Sequence, residues 1–297
     1  MKLISLIFLL LTLSLPHSKG QIITKKFLKN GKLSSKTIIF SIPSLSKKEQ
    51  QKYPDFSENF KEIIHKYWTL NENYKIMNYD DAIKEVKRNK KTSVMAEFVS
   101  TYYTIGTAPI GDPGNMFRLV IPKGPMNVAY KALVIFLEDD ISKTDIVYSL
   151  MLCQYMIKNH DKFKSSKIMK EAAQINGAQL RDKTLLISES ELIKLSIEDI
   201  SAVYPFKFEI VSDRDKEKAI LDQNDNYLFI YYSEVATTSA KSEPIKIIFS
   251  AHNGAIISWA VSKFSINGIG SRFYLKKKDF KDFVKHSDVE RIVLSGE

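Results

Sequence analysis

An internal repeat constrains the fold of this chain more than any other feature. Residues 36–41 read Lys-Thr, three apolar residues, then Ser, and residues 183–188 repeat that order. In each half, an amphipathic helical stretch, a short apolar run, a second capped helix and an aromatic strand-like run follow. Two more strand-like runs close each half, and in the second half Asn253-Gly254, a strong hairpin signal, joins them. The same order twice indicates a duplicated unit.

The repeat predicts an α/β protein. Short helical crossovers between strands imply parallel neighbours, whereas the closing hairpin is antiparallel. We therefore expect two tandem similar units, residues 21–137 and 183–297, each a mixed sheet flanked by helices. Residues 138–182 form a helical connector, which opens with the capping pattern Ser142-x-x-Asp145. Its first helix is apolar almost all round, so we expect it to be buried against the units.

Residues 1–20 are typical of a cleavable secretory signal peptide. One positive charge precedes an apolar run over residues 3–15, which is shorter than the about 20 residues needed to span a bilayer. Ser18 and Gly20 place small side chains before a cut at Gln21. The alternative is an uncleaved anchor helix. We expect an exported protein, periplasmic or extracellular, with no transmembrane span after cleavage.

Charge and cysteine content indicate which partners and which cellular compartment to expect. The formal net charge is +10, which favours anionic partners such as acidic glycans or phospholipid head groups. The alternative is a merely solvated surface, because the lysines are scattered. Nucleic acid is not expected in this compartment. Cys153 is the only cysteine, so an intrachain disulfide is excluded. A large exported protein without disulfides suits a bacterial envelope.

Local catalytic and metal-binding patterns are lacking. Cys153 and His160 are seven residues apart on one helix, about 10 Å along its axis, which is too far for a thiolate–imidazole dyad. A buried inert thiol is the favoured interpretation. Residues 222–226 resemble the start of a calcium loop, but Tyr227 and Ser233 stand where Gly and Glu are needed. A polar turn explains that segment, and we predict no cofactor and no metal.

Candidate ligand-binding residues follow the predicted strands. Ligands of open α/β sheets favour the crevice beyond the carboxyl ends of parallel strands, where helix amino-termini also point. The alternative is that these residues only cap helices and form turns. The candidates after the first strands are Ser41, Ser44, Ser188, Glu189 and Ser190, and those after the third strands are Tyr102, Tyr103, Ser233 and Glu234. We expect the two sets to be equivalent under the repeat.

These observations favour a non-catalytic binding or assembly protein of the bacterial envelope or secretome. Its partner would be an envelope protein, a glycan or another anionic surface. Two alternatives stay open. One is a hydrolase of an extracellular polymer, since carboxylate pairs need no fixed spacing in sequence. The other is a periplasmic solute receptor with its ligand between the halves.

Overall fold

The computed structural model describes the chain from residue 33 to residue 287 with internal gaps. The described residues are 33, 35–45, 47–105, 108–120, 131–137, 142–163, 168–192, 195–236, 242–261 and 274–287. The predicted signal peptide and its cleavage site lie outside these residues.

The first half forms a five-stranded mixed sheet in the order β2-β1-β3-β4-β5. Strand β1 pairs in parallel with β2 and β3, and β4 pairs antiparallel with β3 and β5. The mixed α/β character predicted from the crossovers and the hairpin is therefore confirmed. The strands are β1 (Thr37–Ile42), β2 (Tyr74–Asn78), β3 (Ser93–Ile105), β4 (Ala108–Val120) and β5 (Lys131–Leu137).

The second half forms another five-stranded mixed sheet in the order β7-β6-β8-β9-β10. Strand β6 pairs in parallel with β7 and β8, and β9 pairs antiparallel with β8 and β10. Gly254, with φ of +71°, lies in the turn between β9 and β10, where the sequence predicts a hairpin. The strands are β6 (Thr184–Ser188), β7 (Phe208–Val211), β8 (Tyr227–Ala236), β9 (Ser242–Ser250) and β10 (Ile256–Val261).

Helices follow the strands as the amphipathic patterns predict. Ser142 and Ser212 accept hydrogen bonds from the amides of Asp145 and Asp215, as the capping patterns indicate. The helices are α1 (Lys47–Lys52), α2 (Phe56–Tyr67), α3 (Tyr79–Arg88), α4 (Lys143–Lys158), α5 (Ile168–Asn176), α6 (Gln179–Asp182), α7 (Ile197–Ser201), α8 (Asp213–Leu221) and α9 (Lys277–His286). Two 3₁₀ turns span His160–Lys162 and Glu189–Glu191.

Helix α4 packs against both halves of the chain. Every residue from 145 to 157 is buried, as the apolar sequence predicts. The ring of Tyr148 stacks on Tyr231 of β8 at 4.3 Å and meets Phe249 of β9 edge-on at 4.6 Å. On the other side, the Gln154 amide donates to the carbonyl oxygen of Tyr67, at the end of α2. The same hydrophobic cluster therefore includes residues of both sheets.

Candidate functional site

Helix α4 sets the relative direction of the two sheets. Its first turn follows β5, which runs parallel to β1, and Asp145 in that turn accepts a 2.8 Å hydrogen bond from the Tyr231 hydroxyl. Tyr231 lies two residues beyond Phe229, the last residue of β8 paired with β6. At its other end, α4 contacts Thr69, which precedes β2. The carboxyl ends of the parallel strands in both sheets therefore lie on the side of the α4 amino-terminus. We call this side the carboxyl end of the molecule.

In the second sheet, the carboxyl end brings two predicted residues together. The hydroxyls of Ser188 and Ser190 are 3.1 Å apart, and both donate to the Oδ1 atom of Asp213, the first residue of α8. The hydrogen bonds from Ser188 and Ser190 lower the pKa of Asp213. A carboxylate with a lowered pKa is a weak base, so this arrangement suits hydrogen bonding to a ligand better than activation of a serine nucleophile.

A buried ion pair supports the same edge. The backbone amide of Ser188 donates to Glu191 at 2.7 Å, and the other carboxylate oxygen of Glu191 accepts from the Lys216 ammonium at 2.6 Å. The side chains of Glu191 and Lys216 are only 7% and 14% exposed, so the pair holds the turn after β6 against α8. Glu189 is exposed beside it. Acidic and hydroxyl groups therefore face solvent at this edge, which suits a partner that brings hydrogen-bond donors.

In the first sheet, the serine near the end of the first strand is buried, as Ser188 is in the second sheet. Ser41 aligns with Glu97 of β3, and both side chains are buried. Ser44 is exposed beyond the strand. Ser41 pairs with Met77 of β2 as Ser188 pairs with Val211 of β7, so Ser41 and Ser188 occupy matching places in the two ladders. Burial leaves Ser44 as the accessible predicted hydroxyl of this edge.

The remaining predicted residues lie within strands, and the prediction that they follow strand ends is wrong. Strand β3 continues for eight residues, about 26 Å, beyond Glu97, which is its last residue paired with β1. Tyr102 and Tyr103 lie on this extension. Along this extension, β3 pairs only with β4, and the antiparallel pairing continues through residues with high β-propensity.

Ser233 and Glu234 occupy a similar extension of β8, paired with Ile245 and Pro244 of β9. Their expected equivalence to Tyr102 and Tyr103 is also wrong. Thr37 pairs with Ser93 as Thr184 pairs with Tyr227, so Ser233 corresponds to Val99. Which residues of β3 and β8 correspond depends on the register of strand pairing, and aromatic content alone does not reveal that register. Both extensions still project toward the carboxyl end of the molecule.

Sequence reasoning missed two features. Asp213 could have been found as the first residue of the helix after β7, since its place lies at the same edge as the end of β6. The second is an open pocket of about 610 Å³ at the opposite end of the first sheet, between the end of α2 and the start of β2. No sequence signal predicted it, because its residues come from the end of a helix, the following turn and the start of a strand. They are His65, Trp68, Thr69, Asn71, Glu72 and Tyr74.

The described structure also places the residues of the rejected catalytic and calcium patterns. Cys153 is fully buried, and burial raises the pKa of its thiol well above the usual range. Residues 222–226 form a turn between α8 and β8, in which the Asn224 side chain accepts from the amide of Asn226. Among the described residues, no group of three or more His, Cys, Asp or Glu side chains could hold a metal ion. No helix within the described ranges is long and apolar enough to cross a membrane.

No family model, no curated protein and no solved structure matches this chain.

Proposed function

We propose that this chain is an exported, non-catalytic binding or assembly protein of the bacterial envelope or secretome. It binds its partner at the carboxyl end of the molecule. The observation that carries the proposal is the common direction of the two sheets around α4, which gives one side of the protein both sets of loops and both strand extensions. Side chains of α4 are buried against both halves of the chain, so we prefer this function to a solute receptor.

We further propose that the two halves are tandem copies of one unit. The matching strand orders support this, and the registers support it more strongly. Val120 and Phe249 occupy corresponding places, opposite Met95 and Phe229. Just before each of them along its strand, the ladder to the last strand shifts by one residue. Because a bulge is a specific feature of a fold, a shift at the same position in both sheets supports a common unit.

Site-specific photo-cross-linking in the native host tests the binding surface. A photoreactive residue replaces Tyr102 or Glu234 on the strand extensions, or Ser190 at the edge of the second sheet. We expect all three positions to cross-link to the same envelope component. Asn253, in the turn at the opposite end, is the matched control and should give no such product.

Two outcomes would overturn the proposal. One is cross-linking from Asn253 to the same component, with none from the three positions at the carboxyl end. The other is no macromolecular product from any position, together with a small solute retained by the purified protein in native mass spectrometry. The second outcome would favour the receptor.

Export is tested separately by intact-mass measurement of protein from the periplasm or the medium. We expect the chain to begin at Gln21. A mass that includes residues 1–20 would exclude cleavage and leave the anchor-helix alternative.

A further inference from the structure

We propose that the pocket between the end of α2 and the start of β2, the α2–β2 pocket, binds an organic cation. The group recognised is a primary ammonium or a guanidinium, from a free amine or from a basic side chain of a peptide. This site lies at the opposite end of the first sheet from the carboxyl end, so it does not depend on the function proposed above.

Several polar donors that line the α2–β2 pocket are already engaged within the protein. The amide and hydroxyl of Thr69 both donate to the Gln154 side-chain oxygen, at 2.6 and 3.1 Å. The Asn71 amide donates to the Lys36 carbonyl at 3.2 Å, and the Asn71 oxygen accepts from the Trp68 indole at 3.4 Å. A ligand therefore meets mainly acceptor oxygens and aromatic surface in this pocket.

The charge of the lining favours a cation. Glu72 is exposed in the pocket and carries the anionic charge of the lining. The carboxyl end of α2 adds the partial negative charge of its backbone carbonyls. Nearby lysines have other contacts, since the Lys66 ammonium lies 4.9 Å from the Tyr67 ring centre and that of Lys36 donates to the Lys91 carbonyl.

The aromatic wall of the α2–β2 pocket is held in place before any ligand binds. Phe40 packs edge-on against both Trp68 and Tyr74, with ring centres 5.0 and 6.1 Å away. His65 Nδ1 and the Tyr74 hydroxyl form a 2.8 Å hydrogen bond. A fixed tyrosine ring and a carboxylate that line one pocket are a favourable setting for an ammonium or guanidinium, which can gain a cation–π contact and an ion pair.

In the second unit, aromatic rings pack together at the corresponding place. Phe208 in β7 corresponds to Tyr74 in β2. Phe208 pairs with Leu185 of β6, and Tyr74 pairs with Ile38, the matching residue of β1. Four residues before Phe208, the ring of Tyr204 is buried against Phe206, Phe208 and Phe280 of α9. Aromatic rings thus fill the second unit where the first presents polar side chains around a pocket.

Binding can be measured by NMR through the indole N–H of Trp68, using 1,5-diaminopentane and Nα-acetyl-arginine amide as probes. We expect at least one probe to shift this resonance with saturation. Glu72→Gln should weaken binding at least tenfold. The neutral analogue 1,5-pentanediol should produce no saturable shift. A preference for diaminopentane identifies a free amine as the source, and a preference for the arginine derivative identifies a peptide.

Glu58→Gln is the matched control, since Glu58 is an exposed acid at the other end of α2, paired with Lys61. It should bind the probes as the wild type does. Equal thermal midpoints of the two variants would show that both are folded. The proposal is overturned if neither probe binds, if Glu72→Gln binds like the wild type, or if the diol binds as well as the diamine.

Discussion

The buried ion pair between Lys246 of β9 and Asp279 of α9 allows a quantitative test of the packing of the second unit. The two side chains are 0% and 2% exposed, and the ammonium also donates to the Tyr274 carbonyl. Lys246→Met leaves the Asp279 carboxylate buried without this partner. Breaking a buried pair from one side costs about 3–5 kcal/mol, a large part of a typical folding free energy of about 5–15 kcal/mol.

Lys278→Met is the matched control for this prediction. Lys278 pairs with Asp282 on the same helix at 2.6 Å, but its side chain is 58% exposed. Loss of such a surface pair costs about 0.5 kcal/mol or less. Urea unfolding of each variant gives its loss of folding free energy, provided that the dependence of the free energy of unfolding on urea concentration is unchanged. A cost below about 1 kcal/mol for Lys246→Met would refute the reasoning.

The double variant Lys246→Met, Asp279→Leu separates the charge from the packing. Replacing both partners with apolar side chains removes the unpaired charge and is often nearly neutral. Asp279 also accepts from the Lys276 amide at 2.8 Å, so loss of this cap should cost about 1 kcal/mol. We therefore expect the double variant to be more stable than the single variant. Equal or lower stability would mean that shape, and not the unpaired carboxylate, dominates.

Three further predictions concern α4 and its contacts. Gly254→Ala should cost about 2–4 kcal/mol in urea unfolding, because φ is +71° and a Cβ would lie 2.6 Å from the Leu152 amide nitrogen; a cost under about 1 kcal/mol would contradict this. Burial raises the pKa of Asp145, so its ionised form is penalised in the fold, and its contribution to stability should rise as pH falls through the folded-state pKa. Tyr231→Phe should raise that pKa further in a ¹³C NMR titration, and a fall would contradict it. Cys153 should react with a thiol reagent only on unfolding, and fast labelling of the native protein would exclude its burial.

Local sequence patterns determined the elements of this protein. The apolar runs that begin at Thr37 and Thr184 predict buried strands, and both form interior strands of their sheets. Ser142 and Ser212 cap helices as their spacing indicates. The apolar sequence around Cys153 predicts a buried helix, which α4 is. These predictions hold because strand periodicity, capping and amphipathicity depend on residues only a few positions apart.

Only the tertiary structure decided which residues meet. Asp213 approaches Ser188 and Ser190 across more than twenty residues of chain, and Asp145 meets Tyr231 across 86. The lengths of β3 and β8 depend on antiparallel partners, so the apolar pattern alone placed their ends too early. The common direction of the two sheets and the α2–β2 pocket arise from the packing of α4 and α2. Such contacts join segments distant in sequence, and no local period encodes their distance or direction.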